Sequence, residues 1–306
     1  GIAVAMLFAA AAVYGGIFSA SKAAATANWP PLGFAFVQSL GAGLILLLYC
    51  LVTRGGVPVT RHHLLSYFVI GSLVVGLPQS LLTLVAPNLT AGMMTLVLAL
   101  APTLTFVFAT LLGIDRFSLR GLAGIGISFL GIIVLVGPGS EIAQSGKVLW
   151  FLLALLAPVC FAASNVATAL LRPPATSTPA IAAGMLLGSA VLLSPILILQ
   201  PEARPPLDAA SAVMTPALAA IAINSVFFLL FFEIIRRAGP TFFAQFNYLA
   251  VVAGVLWGMA LFGERPGWHF WAAFALMLIG IRIALGATVG PAPVKAARAP
   301  GDGPAP

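Results

Sequence analysis

Charged side chains are scarce in this chain of 306 residues: Asp, Glu, Lys and Arg account for 7% of it, whereas hydrophobic residues account for 61%. A soluble domain carries roughly 25% charged residues, because they cover its surface. The shortage therefore excludes a soluble globular protein. Basic residues outnumber acidic ones by fourteen to seven. They are scattered between apolar runs rather than clustered on one face, so nucleic acid is not an expected partner.

Residues suited to catalysis or metal binding are also few. The two cysteines, Cys50 and Cys160, fall inside apolar runs and predict neither a disulfide framework nor a metal pair. The three histidines, His62, His63 and His269, lie at predicted helix ends, and no Asp lies inside a predicted span. The sequence contains neither a GxxxxGKS/T nor an HExxH motif. We therefore expect no enzyme activity, no cofactor and no metal.

Long apolar runs are abundant instead. A helix that spans a bilayer needs about 20 mainly apolar residues, and ten such runs are separated by breaks rich in Pro, Asn, Gly or charge. The first run is followed by another apolar run, which favours a retained helix over a signal peptide. The chain is thus predicted to be an all-α integral membrane protein embedded in the lipid bilayer. The predicted spans are Ile2–Ala24, Leu32–Val52, Leu64–Val85, Ala91–Leu112, Leu119–Val136, Val148–Leu171, Ala180–Leu199, Ala212–Ile235, Thr241–Phe262 and Trp268–Leu285.

The distribution of Lys and Arg predicts how these spans are oriented. Ten spans place both termini on the same side of the membrane. If that side is the cytoplasm, nine basic residues lie in inner segments and four in outer ones, as the positive-inside rule requires. We expect a multi-pass protein of the inner (plasma) membrane with both termini cytoplasmic. The four outer residues are Lys22, Lys147, Arg204 and Arg265.

The two halves of the chain match each other in part. Asp115-Arg116 aligns with Glu264-Arg265 and Gly131 aligns with Gly280, at a constant offset of 149 residues. Each half holds five spans, and because five is odd, homologous halves must insert in opposite orientations, as in many secondary transporters. We predict a first repeat at 1–137, an outer linker at 138–147, a second, inverted repeat at 148–287 and a disordered cytoplasmic tail at 288–306.

Three segments resemble a known family. They are the small and aromatic end of the first span, Phe18–Lys22, and the acidic ends of the fourth span of each half, Leu112–Arg116 and Leu261–Pro266. With two five-helix halves and short loops, the chain resembles the drug/metabolite transporter superfamily, EamA type. The first half departs from the usual Gly-Glu pair, because Ile114 separates the glycine from the acid.

The resemblance implies a central cavity between the halves, lined by the first four helices of each, with the fifth helices at the periphery. Members of the superfamily export amino acids, other metabolites or cationic drugs, or carry nucleotide sugars and triose phosphates. Among them, the YddG-type amino-acid exporters are the most similar.

Polar side chains at membrane depth are costly, so we expect them to face a cavity or a partner helix. Gln79 and Ser80 follow Pro78 near the middle of the third span, where proline breaks the helical hydrogen-bond pattern. Asn224 lies at the corresponding depth of the eighth span. Matched polar groups in both halves are typical of a substrate site at the interface of two repeats.

Four more residues complete the predicted substrate-binding set. Tyr14 at the centre of the first span offers a ring and a hydroxyl. Ser164 lies in the sixth span, and Gln245 and Tyr248 lie three residues apart on one face of the ninth. Gln38, in the outer part of the second span, is a weaker candidate and is not included. For all of these residues the alternative is packing or hydrogen bonding between helices.

The positions of the seven acidic residues decide the predicted transport mechanism. Six of the seven fall in predicted loops, at helix ends or in the tail, and Glu233 lies beside Arg236 and Arg237, where an ion pair is expected. Proton-coupled carriers commonly hold a carboxylate at the bilayer centre, and none is predicted here. We therefore expect export of small neutral or zwitterionic metabolites by alternating access, as facilitated diffusion. Amino acids, aromatic ones among them, are the expected small-molecule substrates.

Several alternatives stay open at this stage. One is a proton-coupled multidrug or nucleotide-sugar/metabolite antiporter of the same superfamily. A channel would be expected to show a charged ring or a carbonyl filter, and an intramembrane enzyme would need paired catalytic side chains at depth. The GxxxG patterns at 184–188 and 254–258 allow close helix packing. We expect that packing to be internal, which favours a monomer.

Overall fold

The computed structural model describes residues 1–53, 56–113, 118–137, 140–171, 173, 176–206, 211–243 and 246–285. All regular secondary structure in these residues is helical. The long helices are α1 (Ile2–Thr26), α2 (Pro31–Val52), α3 (Arg61–Val85), α4 (Ala91–Leu111), α5 (Leu119–Val136), α6 (Val148–Leu171), α7 (Thr178–Leu199), α8 (Ser211–Phe243), α9 (Phe246–Phe262) and α10 (Trp268–Leu285).

Eight of these helices, α1 to α8, are long and apolar enough within the described residues to cross a membrane. In α9 and α10 the apolar segments found by the same criteria, Leu249–Phe262 and Trp268–Gly280, are shorter. The structure thus supports an all-helical membrane protein with eight clear candidate spans, compared with the ten that the sequence predicts.

One predicted boundary differs clearly. The sequence places the end of the eighth span at Ile235, but α8 continues to Phe243. Glu233 accepts hydrogen bonds from Arg236, at 2.8 Å, and from Arg237. The two arginines lie three and four residues, or about one turn, after Glu233. Pairs at this spacing support a helix, so the charged segment extends α8 instead of ending it.

Prolines explain three irregularities inside the helices. A π-helical turn, Ser72–Gly76, precedes Pro78 in α3. The α-helical pattern of α4 is interrupted at Ala99-Leu100, before Pro102, and that of α6 at Leu155, before Pro158. Proline lacks a backbone donor and its ring displaces the carbonyl four residues earlier, which loosens the preceding turn. These irregular turns lie where α3, α4 and α6 approach the centre of the bundle.

The main contacts between helices persist when the two halves are exchanged. Helix α2 packs on α7 and α5 on α10, while α4 packs on α9, so each of these contacts pairs the halves. Helix α1 contacts α8 and α9, and its counterpart α6 contacts α3 and α4. The pairs α3–α7 and α8–α2 are equivalent in the same way. The pattern gives the bundle an approximate twofold arrangement of helices.

Glycines permit the closest of these contacts. A side chain at Gly131 of α5 would lie 2.9 Å from the carbonyl oxygen of Ala273 in α10. A side chain at Gly280 of α10 would overlap the carbonyl of Gly124 in α5. Gly124 and Ala273 are themselves 149 positions apart, as Gly131 and Gly280 are. The two glycines therefore make equivalent contacts in the two halves. These two glycines are one of the pairs that the predicted alignment of the halves matches. Asp115, which the same alignment matches to Glu264, lies outside the described residues.

The two GxxxG patterns pack inside the chain. Gly184 and Gly188 of α7 lie against Tyr67 in α3, and Gly254 of α9 lies against Thr95 in α4. In each case a Cβ atom would collide with the neighbouring helix. The small residues thus bring helices of opposite halves together.

Candidate functional site

A cavity of about 280 Å³ lies between the two halves. Helices α1 to α4 of the first half line it together with α6, α8 and α9 of the second. Helices α5 and α10, which pack on each other, do not contribute to the lining, and neither does α7. The cavity has an aromatic wall and an amide wall.

The aromatic wall is centred on Tyr14 and Phe227, whose ring centroids lie 4.4 Å apart. Phe246 lies 5.6 Å from Tyr14 and 5.0 Å from Phe227, and Phe228 lies 5.2 Å from Phe227. Tilted and edge-on arrangements at these distances are favourable for aromatic rings. Gly15 lets α1 approach α9 closely beside these rings, since a Cβ there would lie 2.7 Å from the backbone nitrogen of Gly254. The wall presents rings from α1, α8 and α9 to a bound molecule.

The amide wall begins with a buried pair that joins the halves. Asn224 Nδ2 of α8 donates to Gln38 Oε1 of α2 at 3.1 Å, and also to the carbonyl oxygen of Ala220 at 3.0 Å. Both acceptors fix which end of the Asn224 amide carries the nitrogen. Gln38 is fully buried, and its Nε2 has no hydrogen-bond partner among the described residues. Such an unpaired donor costs about 1–3 kcal/mol.

Two further amides complete this wall. Gln79 Nε2 donates to Ser21 Oγ, which itself donates to the Ile17 carbonyl at 2.9 Å. Asn165 Nδ2 donates to Thr105 Oγ1 at 3.0 Å, and the Asn165 side chain is exposed. The hydrogen bonds of Gln79 and Asn165 each connect two different helices, so these amides are oriented in advance of any binding event.

The structure brings together three of the seven predicted site residues: Tyr14, Gln79 and Asn224 line the cavity. Ser80 and Ser164 lie apart from it. Both are buried and donate within their own helices, to the carbonyl oxygens of Gly76 and Phe161, each at 2.7 Å. Gln245 lies outside the described residues, and Tyr248 belongs to α9 with its side chain outside the description.

Two lining residues were outside the predicted set: Asn165, and Gln38, which the sequence analysis treated as a weaker candidate. Asn165 is four residues from Phe161, which also lines the cavity, so a helical-face argument based on Phe161 would have favoured Asn165 over its neighbour Ser164. Gln38 carried no such signal, because its contact with Asn224 depends on how α2 and α8 pack.

The cavity is uncharged in the part of the chain that the structure describes. Its lining contains no Asp, Glu, Lys, Arg or His. The expected pairing of Glu233 with Arg236 and Arg237 is confirmed, and all three side chains lie on exposed helix surface away from the cavity. The site can therefore offer amide donors and acceptors and aromatic faces, but no net charge.

Comparison with known proteins assigns this chain to a family. The family model described as "EamA-like transporter family" matches residues 1–137 and, a second time, residues 148–286. The chain belongs to the EamA-like transporter family. The "Uncharacterized inner membrane transporter YedA" of Escherichia coli K12 is 30% identical over 261 residues, which cover 83% of this chain and 81% of YedA. The YedA protein of Escherichia coli O157:H7 matches to the same extent.

A crystal structure of a protein that is 20% identical shows the same fold, with a TM-score of 0.59 over 94% of this chain and 99% of the other. Membership in the EamA-like family makes this chain a multi-pass membrane transporter related to an inner membrane transporter, and it favours a non-enzymatic role. The cavity between the halves is the candidate solute site of this EamA-like transporter.

A charged cluster lies at one end of the EamA-like bundle, away from the cavity. Lys22, near the end of α1, contacts Glu264 after α9 at 2.5 Å, and its Nζ lies 4.7 Å from the ring centroid of Phe262. Glu264 also accepts hydrogen bonds from the backbone nitrogens of Ala91, at 2.7 Å, and Gly92, at 3.1 Å. These are the first residues of α4, where the helix dipole favours a negative charge.

Proposed function

We propose that this transporter exports small neutral or zwitterionic metabolites, with amino acids, aromatic ones among them, as the substrate class. The observation that carries the proposal is the pairing of an uncharged amide wall with an aromatic wall in one cavity. Alternating access, running as facilitated diffusion, is the proposed mechanism.

The amide wall fits a zwitterion. An amide offers both a donor and an acceptor, so Gln79, Asn165 and Asn224 provide partners for a carboxylate and for an ammonium group within one cavity. A solute with a net positive charge would lose its hydration there without gaining a counter-ion, which is costly. The absence of charge in the described lining thus weighs against the cationic-drug alternative.

The aromatic wall and the cavity size narrow the class further. The rings of Tyr14 and Phe227 suit an apolar or aromatic side chain, and a ring face also attracts an ammonium group. Drug-sized ligand pockets span about 300–1,000 Å³, and a cavity of about 280 Å³ lies just below this range. A small metabolite is therefore a better fit than a nucleotide sugar.

For the architecture we propose ten spans in two inverted five-helix repeats, as in YddG-type exporters, with both termini cytoplasmic. The double match of the family model and the exchange symmetry of the helix contacts support two equivalent halves. The excess of basic residues in the predicted inner segments supports the orientation. With that orientation, Lys22 and Glu264 lie at the outer end of the bundle.

Uptake into proteoliposomes tests the substrate class. We expect accumulation of one or more neutral amino acids down their gradient, with a rate that an imposed pH gradient does not change. Transport of a cationic dye but of no amino acid would contradict the proposal, and so would uphill accumulation driven by protons. Ser194→Ala serves as a matched control variant, because Ser194 donates to the Val191 carbonyl in α7, which does not line the cavity.

A further inference from the structure

Among the ion pairs of the described residues, that between Lys22 and Glu264 joins the two halves of the chain, whereas the others lie within α8. The pair is also the more buried one. The side chains of Lys22 and Glu264 are 21% and 6% exposed, compared with 29% or more for Glu233 and its partners. Burial strengthens the attraction between the charges, because little water screens them.

Glu264 ties three elements together. Its carboxylate binds Lys22 of α1 and the N-terminal amides of Ala91 and Gly92 in α4, while its own backbone follows the end of α9. The turn that delivers it contains Gly263 in the left-handed region, with φ of +62°, a conformation that glycine adopts without strain. The carboxylate therefore fastens α1 and α4 of one half to α9 of the other.

The helices leave little space between this ion pair and the cavity. A Cβ at Gly254 would collide with Thr95, and a Cβ at Gly258 would collide with the Glu264 carboxylate and lie 3.3 Å from Ala91. Tyr14, in the cavity, lies eight residues before Lys22, which corresponds to about 12 Å along α1. Helices α4 and α9 thus pack closely between the cavity and the ion pair. Asn165, which also lines the cavity, is exposed.

We propose that Lys22 and Glu264 form a latch that holds one end of the substrate cavity closed, and that their separation is the step that opens this end. The inference rests on the proposed alternating access. A buried ion pair suits this role. When its charges separate they regain hydration, and this hydration offsets much of the electrostatic attraction that is lost. The latch can hold the closed state without making it irreversible.

The latch has no ionic counterpart among the described residues at the opposite end. Phe18 and Ser21 of α1 match Phe161 and Ser164 of α6 at a constant offset of 143, and the same offset places Asn165 where α1 has Lys22. An amide bonded to Thr105 cannot match the electrostatic attraction of an ion pair. The first half thus carries a positive charge where the second half has an amide, and this difference favours the conformation that is closed at the Lys22 end and open at the Asn165 end.

Thiol labelling in membranes tests the latch without any substrate. Leu98→Cys places a single reporter in the cavity, in a background in which Cys50 and Cys160 are replaced by Ala. A membrane-impermeant maleimide is applied to right-side-out and inside-out vesicles, so that each end is probed separately. With the latch intact, we expect slow labelling from the Lys22 side and fast labelling from the other side.

Charge substitutions give the decisive comparison. Lys22→Met leaves Glu264 buried without its cation, so labelling from the Lys22 side should rise at least about tenfold. The double variant Lys22→Met/Glu264→Gln removes both charges, and with them the attraction, but keeps an acceptor for the amides of Ala91 and Gly92. Labelling from the Lys22 side should therefore stay above the original rate, although it should fall below that of Lys22→Met because no unpaired charge is left buried. The reversed pair, Lys22→Glu/Glu264→Lys, should not restore the original rate, because those amides would then face a cation.

Two outcomes would overturn the latch. One is unchanged labelling in Lys22→Met, and the other is an equal increase at a buried reporter outside the cavity, Ala42→Cys, which would indicate general loosening. If Lys22→Met fails to fold, Gly258→Ala displaces the Glu264 carboxylate without removing a charge and carries the same expectation. Failure of this assay would leave the proposed substrate untouched, and failure of amino-acid uptake would leave the latch untouched.

Discussion

Asn224 and Gln38 connect the two halves of the transporter through a side-chain hydrogen bond of 3.1 Å at the wall of the cavity. They belong to α8 and α2, which are separated by 186 positions in the chain. A bond of this kind in a nonpolar surrounding orients both amides. The Gln38 nitrogen has no hydrogen-bond partner in the part of the chain that the structure describes. The pair couples the geometry of the site to the packing of one half on the other.

Truncation of this pair should reduce transport. In Asn224→Ala, Gln38 loses its side-chain hydrogen bond to α8, and the Ala220 carbonyl loses a donor. We expect a loss of roughly 1–3 kcal/mol in stability, which is the cost of leaving buried polar groups unpaired, together with a clear fall in uptake rate. Thermal unfolding in detergent and uptake by proteoliposomes measure the two effects. Normal uptake in this variant would remove Asn224 from the site.

A carboxylate placed in the cavity should change selectivity. In Gln79→Glu the side chain keeps its length but gains a negative charge beside Ser21. We expect weaker uptake of a zwitterion, because its carboxylate is repelled, and new competition by a cationic amine. The measurement is inhibition of amino-acid uptake by a series of amines. If the wild type and Gln79→Glu show identical inhibition, Gln79 does not contact the solute.

The sequence and the structure make different predictions for the role of Ser80. The sequence places it in the substrate site, whereas the structure directs its hydroxyl to the Gly76 carbonyl within α3. The structure therefore predicts that Ser80→Ala transports at nearly the rate of the wild type, while Gln79→Ala does not. A strong loss in Ser80→Ala, with unchanged thermal unfolding, would return Ser80 to the site.

The contact between α5 and α10 should be intolerant of side chains. Gly280→Val would force a branched side chain against Ser128 and the Gly124 carbonyl, and overpacking of this kind costs about 1–3 kcal/mol. We expect a lower unfolding temperature in detergent. Gly126→Ala, on the same α5, is the matched control because a Cβ there has no neighbour within 4 Å. It should be neutral or stabilising, since Ala favours helix more than Gly does.

The sequence predicted the helices well because burial in a bilayer imposes long apolar runs, which the composition shows directly. It predicted Gln79 and Asn224 at the cavity from their depth alone. It ranked Gln38 only as a weaker candidate, because its role depends on how α2 packs on α8. It also ended α8 too early, at charged residues that in fact pair with one another along the helix. A contact between distant helices decides the first point, and local pairing decides the second.

The glycine contacts between α5 and α10 have a mechanical consequence. These helices lie outside the cavity, yet they join the halves backbone to backbone, with Gly131 facing the Ala273 carbonyl and Gly280 facing that of Gly124. A seam packed this closely cannot slide without collision, although it can tilt by small angles. If the two halves rock against each other, the seam is the natural pivot, and the largest displacements fall at the far side of the bundle, where solute would enter and leave.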